Sequence, residues 1–135
     1  MEELRVTAKV ENLDLVLDFL NTHLESMDCP MKAQMQLDIA VEELFVNIAT
    51  YSYAPGTGDA VIRVEKDPSG GMVKITLIDK GVPYDPLAKE DPDVTLSAEE
   101  RQIGGLGIFM VKKSVDDMYY EYKDGENRLT LCKKI

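Results

Sequence analysis

The first 50 residues contain one short alternating segment and two segments with helical spacing. Every second residue is apolar in a run that predicts a strand with one buried face, at Leu4, Val6, Ala8 and Val10. Apolar residues then recur three and four positions apart, which predicts a first helix from about residue 12 to 27, capped by Asn12. A second helical pattern follows the break at Pro30 and continues to about Thr50.

The rest of the chain predicts two hairpins, a long loop and a third helix. Alternating β-rich runs at residues 60–66 and 72–79 flank a turn rich in Pro and Gly, which indicates a hairpin. The pattern then fails for about 25 residues, a length that is usually functional or disordered in a small domain. A helix is predicted from Gly104 to about Val115, and two more strands near residues 117–123 and 128–134.

The predicted element order is β-α-α-β-β-loop-α-β-β, in a single domain that spans residues 1–135. Two hairpins and the absence of repeated βαβ units favour an α+β fold, a two-layer sandwich with its helices on one face of the sheet. We expect the sheet to be mixed but mostly antiparallel, with its other face in contact with water.

Charge and composition exclude several classes of function. Fifteen basic against 25 acidic residues give a net charge of −10, which argues against direct binding to nucleic acid or to an anionic membrane. Cys29, Cys132 and the single His23 lack the spacing of a zinc site or a Cys-His catalytic pair. With neither a signal peptide nor a run of about 20 apolar residues, the chain is expected to be cytoplasmic.

Glu43 and Asn47 are the first candidate functional pair, because they lie one turn apart on the second predicted helix. Their stripe differs from the core stripe of that helix and from a third, solvated face with Asp38 and Glu42. An acid and an amide at this spacing are also ordinary on an exposed helix. Apolar neighbours such as Val46 instead favour a cleft at the edge of the core.

Two further segments follow in order along the chain. Asp79-Lys80-Gly81 comes at the end of a predicted strand, where the Asp can accept a hydrogen bond from an amino group, although a plain Asp-x-Gly turn has the same sequence. The segment Gly104-Gly105-Leu106-Gly107 opens the third helix and offers main-chain amides to a phosphate group. A flexible helix cap would also explain these glycines, which match neither a Walker A loop nor a dinucleotide fingerprint.

Together, the segments AVEELFVNIATYSY, DKGVPYDP and GGLGIFMVKK resemble the GHKL ATP-binding superfamily, and within it the small anti-sigma-factor serine kinases of bacteria. The resemblance extends from Val6 to the last predicted strand. It implies a GHKL-type α/β sandwich that binds ATP and Mg²⁺. It also implies that residues 86–103 form a lid over the nucleotide.

The resemblance assigns roles to individual residues. Glu43 would be the general base, and Asn47 would help to hold Mg²⁺ on the triphosphate. Asp79 would bind the adenine amino group, with Gly81 beneath the ring and Thr130 near the base. The phosphates would be enclosed by the glycine segment, which comprises Gly104, Gly105, Leu106 and Gly107.

This sequence departs from the family pattern at two positions. Tyr51 stands where many relatives have a His, which we expect to be a tolerated variation. Ile103 stands where the anti-sigma kinases often have an Arg that steadies the transferred charge, and Arg101 is the nearest candidate for that role. The second departure concerns the efficiency of phosphoryl transfer and not the binding of nucleotide.

The resemblance implies a serine protein kinase that phosphorylates an anti-sigma-factor antagonist protein and sequesters a sigma factor, commonly as a homodimer. A nucleotide-gated binding module with little or no transfer activity is the alternative. The replacement of Glu43 would separate the two, because only a kinase would lose phosphorylation while it keeps ATP. A purely structural domain would leave the three coincident segments unexplained.

Overall fold

The computed structural model describes residues 1–88 and 105–135 and contains the predicted order of elements. The strands are β1 Glu2–Thr7, β2 Asp59–Lys66, β3 Met72–Asp79, β4 Asp117–Lys123 and β5 Glu126–Lys134. The helices are α1 Leu13–Ser26, α2 Met31–Asn47 and α3 Gly105–Ser114. Every predicted helix and strand is confirmed to within a few residues at each end. None of the helices in the described part of the chain is long and apolar enough to cross a membrane.

The five strands form one open sheet in the order β1-β2-β3-β5-β4, and each of the four neighbouring pairs is antiparallel. The expectation of a mixed sheet is therefore wrong for the strands described. The connection through α3 gives β3 and β4 the same direction, but β5 lies between them and pairs with both. A tight turn with positive φ at Asp124 and Gly125 connects β4 to β5, which lies between β3 and β4.

The helices pack on one face of this sheet, as predicted, and the core lies between the two layers. Alternate residues of the strands supply its sheet side, and the apolar stripes of α1 and α2 supply its helix side. The largest side chains that are fully buried include Phe45, Leu20, Leu24, Leu37, Ile62, Ile75, Leu77 and Leu131. Burial of each such side chain contributes about 1.5–3 kcal/mol, so this packing fixes α2 against β3 and β5.

The structure differs from the sequence prediction at the start of α1 and at the end of α2. Asn12 does not cap α1, because its Nδ2 donates a hydrogen bond to the Thr7 carbonyl oxygen at 2.8 Å and ties the helix start to β1. At its other end, α2 is followed by a wider π-helical turn at Ile48–Ser52. That turn directs residues 51–53 toward the end of β3.

Asp38 contradicts the prediction of a solvated third face on α2. Its side chain is half-buried, and its Oδ1 atom is enclosed without a hydrogen-bond partner among the residues described. Burial raises the pKa of the Asp38 carboxyl, against the effect of a hydrogen bond from Asn21, and the carboxylates of Glu25 and Glu42 raise it further. Glu42 itself is exposed, as expected.

We predict that Asp38→Asn raises the thermal unfolding midpoint by about 2–4 °C at pH 7–8, because it removes a poorly solvated charge. The folded-state pKa of Asp38 lies above that of the unfolded chain, so the penalty is present at neutral pH and disappears as the pH falls through the folded-state pKa. Melting curves from pH 4 to 8 measure this, with Glu42→Gln as the exposed control. A stabilisation that stays constant as the pH falls would contradict the account.

Candidate functional site

A cavity of about 510 Å³ opens between the carboxyl end of α2 and the ends of the central strands. Its walls are mostly apolar, with a few polar side chains, which is typical of small-molecule sites of this volume. Its lining residues are Leu44, Asn47, Ile48, Tyr51, Ser52, Leu77, Asp79, Val82, Pro83, Tyr84, Pro86, Tyr120, Asn127 and Leu129.

Asp79, the last residue of β3, supplies the buried acid of the cavity and is 5% exposed. Its Oδ1 atom accepts hydrogen bonds from the Gly81 main-chain amide at 2.9 Å and from Asn127 Nδ2 at 3.0 Å. Residues 1–88 and 105–135 make no hydrogen bond to Oδ2. A ligand amino group is a suitable partner for this remaining oxygen.

Asn127 is a site residue that the sequence pattern does not indicate, since the last predicted strand begins only near residue 128. It is 6% exposed and lies in β5 directly opposite Asp79. Its Oδ1 accepts the Tyr84 amide at 3.1 Å and the Tyr120 hydroxyl at 2.5 Å. The strand register that places Asn127 beside Asp79 is a long-range feature, and only the short turn before β5 gives any hint of it.

Residues after α2 are joined closely to residues after β3. The Val82 amide donates to the Ser52 carbonyl oxygen at 3.0 Å, and a Cβ built on Gly81 would overlap that same carbonyl. Gly81 is not among the residues that line the cavity, and its packing beneath a flat ring stays a prediction. A glycine is needed there because the Ser52 backbone passes too close for any side chain.

Tyr53 adds a second tie at the same place. Its hydroxyl donates to the Asp59 carbonyl oxygen at 2.6 Å and accepts the Lys80 amide at 2.7 Å. Burial raises the pKa of this hydroxyl, so it stays protonated and can make both bonds. The ends of β2 and β3 are thereby held to the turn that follows α2.

Glu43 and Asn47 lie on the side of α2 that faces α3 and the cavity. Both are half-buried, and their Cα atoms are about 6 Å apart along the helix axis. A Cβ built on Gly107 would overlap the Glu43 carboxylate, so the structure brings the acid and the glycine segment together. This carboxylate thus lies beside the first turn of α3, where the helix dipole favours negative charge.

Asn47 lines the cavity, and residues 1–88 and 105–135 offer its amide no hydrogen-bond partner. The described residues include no group of three or more His, Cys, Asp or Glu side chains that could hold a metal ion. A single amide oxygen still suits Mg²⁺, because this ion takes few ligands from a protein when it arrives on phosphate groups. The residues present therefore fit a metal that is carried by a phosphorylated ligand.

The glycine segment is only partly within the described residues. The helix α3 begins at Gly105 and places Leu106 and Gly107 in its first turn, where main-chain amides lack helical partners. Gly104, Arg101 and Ile103 lie outside the described residues, as does the predicted lid beyond residue 88. The first residues of the predicted lid, Pro86–Ala88, form a short 3₁₀ turn, and Pro86 lines the cavity.

Thr130 does not belong to the cavity, which corrects the prediction that it lies near a bound base. Its Oγ1 is 3.2 Å from Thr76 Oγ1, its partner across the β3 and β5 strands. The neighbouring residues Leu129 and Leu131 point into the core beneath the helices. Since side chains alternate along a strand, Thr130 lies on the opposite face of the sheet.

Three tyrosines, Tyr51, Tyr84 and Tyr120, line the cavity. The Tyr120 hydroxyl is held by Asn127. Burial raises the pKa of Tyr120, so the hydroxyl remains protonated and donates its hydrogen bond at neutral pH. Aromatic and aliphatic walls with one acceptor at the base suit a flat heterocycle that carries an amino group.

Comparisons with known proteins agree with this interpretation of the cavity. A family model described as a histidine kinase-like ATPase domain matches residues 6–133. The serine/threonine-protein kinase BtrW of Bordetella bronchiseptica is 27% identical over 100 residues, which is 74% of this chain and 70% of that protein. The serine-protein kinases RsbW of Listeria monocytogenes and Listeria innocua are 30% and 29% identical over 93 residues. This match covers 66% of the chain but only 59% of each Listeria protein.

We predict that Gly81→Ala lowers the free energy of unfolding by about 1–3 kcal/mol, because the new Cβ must displace the Ser52 backbone. Gly71→Ala is the matched control, since a Cβ there would meet only Ser69 Oγ at an ordinary 3.9 Å. Urea denaturation of both variants measures the difference. Equal stabilities of the two variants would show that the contact between Gly81 and Ser52 is not tight.

Proposed function

The chain belongs to the family of histidine kinase-like ATPase domains, and from this premise we propose that it is an ATP- and Mg²⁺-dependent serine protein kinase. In this proposal it phosphorylates an anti-sigma-factor antagonist protein and, in its other binding state, sequesters a sigma factor. The printed names of the relatives, serine/threonine-protein kinase and serine-protein kinase, support the reaction class. The sigma factor, the antagonist and a homodimeric, cytoplasmic form are part of the proposal and rest on the family resemblance.

The strongest support for the proposal is the contact between Glu43 and the start of α3. The Glu43 carboxylate lies against Gly107 in the first turn of α3, one helical turn from Asn47 at the cavity. The acid, the amide and the helix start are the parts that phosphoryl transfer needs close together. Asp79 lies at the base of the same cavity, where it would bind the other end of the ligand.

The base of the nucleotide is proposed to lie between the apolar walls of the cavity. Its amino group would donate to Asp79 Oδ2, the oxygen that Gly81 and Asn127 leave without a partner. Leu77 and Leu129 on the sheet and Ile48 on the turn after α2 would contact the ring. Exclusion of water by these side chains strengthens the single polar contact.

The triphosphate would then extend along α2 toward the start of α3. Main-chain amides in the first turn of α3, at Gly105 and Gly107, would bind phosphate oxygens. Asn47 would hold the Mg²⁺ ion, which neutralises phosphate charge when it is bound. This arrangement needs no basic patch, and so it is compatible with a net charge of −10.

Glu43 is proposed to act as the general base. Its carboxylate would take the proton of the substrate serine hydroxyl as the serine oxygen forms a bond to the γ-phosphorus. The bond between that phosphorus and the bridging oxygen breaks at the same time, and ADP leaves with the bond electrons. Arg101 remains the candidate for the cation that steadies the transferred charge.

The alternative function is a nucleotide-gated regulator that binds a partner protein and transfers phosphate slowly or not at all. The observation that favours it is Ile103, at the position where the related kinases often have an Arg. In that case the cavity would still bind ATP, and its occupancy would set the affinity for the partner.

We predict that Glu43→Gln lowers serine phosphorylation at least about a hundredfold and leaves ATP affinity within about threefold of wild type. The measurement combines purified protein, labelled ATP, Mg²⁺ and candidate small antagonist proteins from the same genome, with detection of phosphoserine and a parallel binding titration. Glu42→Gln, an exposed acid next to Glu43 on α2, is the matched control and should keep full activity.

This experiment can support the kinase, support the regulator, or exclude both. Phosphorylation by the wild type and the Glu42 variant, but not by the Glu43 variant, supports the kinase. ATP binding without transfer to any candidate supports the nucleotide-gated regulator. Absence of ATP binding would overturn both.

We also predict that Gly107→Ala lowers phosphorylation about tenfold or more while the unfolding midpoint changes little. The three atoms nearest to the added Cβ all belong to the end of the flexible Glu43 side chain, which can move away at small cost but then leaves its position. The double variant Gly107→Ala with Glu43→Gln should be no slower than Glu43→Gln alone. Losses that multiply in the double variant would contradict a shared effect.

A further inference from the structure

Asn127 is a buried amide whose two polar atoms are both occupied. Its Nδ2 donates to Asp79 Oδ1 at 3.0 Å and to the Val82 carbonyl oxygen at 3.0 Å. Its Oδ1 accepts the Tyr84 amide at 3.1 Å and the Tyr120 hydroxyl at 2.5 Å. The side chain therefore joins the acid of the cavity to the loop and the tyrosine that wall it.

These partners allow only one orientation of the amide. The Val82 carbonyl can only accept, so the atom that faces it must be the nitrogen. The Tyr84 main-chain amide can only donate, so the atom that faces it must be the oxygen. A flipped amide would lose both bonds and place its oxygen against the Asp79 carboxylate. Asn127 consequently always presents an N–H donor to Asp79.

The donor from Asn127 determines how Asp79 meets a ligand. With the Gly81 amide, it gives Oδ1 two hydrogen bonds, which restrains the plane of the carboxylate and leaves Oδ2 without a partner among residues 1–88 and 105–135. A carboxylate oxygen can only accept a hydrogen bond. The site therefore selects a base with a donor at this point and rejects a base with an acceptor there.

Adenine and guanine differ in this respect, because adenine carries an amino donor where guanine carries a carbonyl acceptor. We propose that Asn127 is a positioning residue that sets the preference of the site for adenine over guanine nucleotides. This inference rests on the proposed function, since it takes the cavity to be the place of the nucleotide base. Asn127 itself acts through Asp79.

Without the Asn127 side chain, the Asp79 carboxylate has one remaining hydrogen bond, from Gly81, and can rotate about its own axis. ATP then loses a fixed acceptor for its amino group, whereas GTP loses a repulsive contact. The preference between the two bases should therefore shrink. A role in stability alone would instead weaken both nucleotides by the same factor.

The test compares non-hydrolysable ATP and GTP analogues by calorimetry, with Mg²⁺, on the wild type and Asn127→Leu. We expect affinity for the ATP analogue to fall about ten- to hundredfold and affinity for the GTP analogue to change by less than about threefold. Asn12→Leu is the control, because Asn12 is a half-buried asparagine at the start of α1 whose side chain bonds the Thr7 carbonyl oxygen and does not line the cavity. It should bind both analogues as the wild type does.

Tyr120→Phe provides a milder variant if Asn127→Leu does not fold. It removes one partner of the Asn127 oxygen, so the base preference should fall about two- to fivefold. An unchanged ratio of the two affinities in the folded variants overturns the inference and leaves the proposed function intact. A wild type that binds neither analogue overturns the proposed function itself, and one that binds both equally overturns the inference alone.

Discussion

The junction between Ser52 and the segment after β3 is the constraint on which the rest of the site depends. The Ser52 carbonyl oxygen accepts the Val82 amide at 3.0 Å and leaves no room for a side chain at position 81. It thereby fixes the carboxyl end of α2 relative to Asp79. Because Glu43 and Asn47 belong to the same rigid helix, their distance from the base of the cavity is fixed with it. A small change at this junction would move every part of the site at once.

The arrangement also explains how an acidic chain can be suited to an anionic ligand. None of the described residues that line the cavity is basic, and the first turn of α3 supplies positive potential through its main-chain amides. The Glu43 carboxylate lies beside that turn and close to the position proposed for the transferred group. The same acid is thus both a structural neighbour of the glycine segment and the proposed base.

Local patterns predicted most of the fold, because each helix and strand has a clear apolar period and each hairpin a clear turn. The order of strands depends on where β5 inserts, and this follows from long-range pairing that no local pattern contains. The same limit explains the errors at the site. The family resemblance assigns Thr130 to the nucleotide base, but it does not show which face of the sheet carries this side chain. Asn127 becomes a site residue only through the strand register, which places it opposite Asp79. Glu43, Asn47 and Asp79 could be identified as candidate site residues because the segments that contain them occur in one chain, in the order typical of the family.

The most direct test of the account is a structure of the protein with a non-hydrolysable ATP analogue and Mg²⁺. In that structure we expect the adenine amino group to lie within hydrogen-bond distance of Asp79 Oδ2, Asn47 to contact the metal, and the phosphates to contact the start of α3. An analogue bound elsewhere, or bound in this cavity with its base away from Asp79, would contradict it.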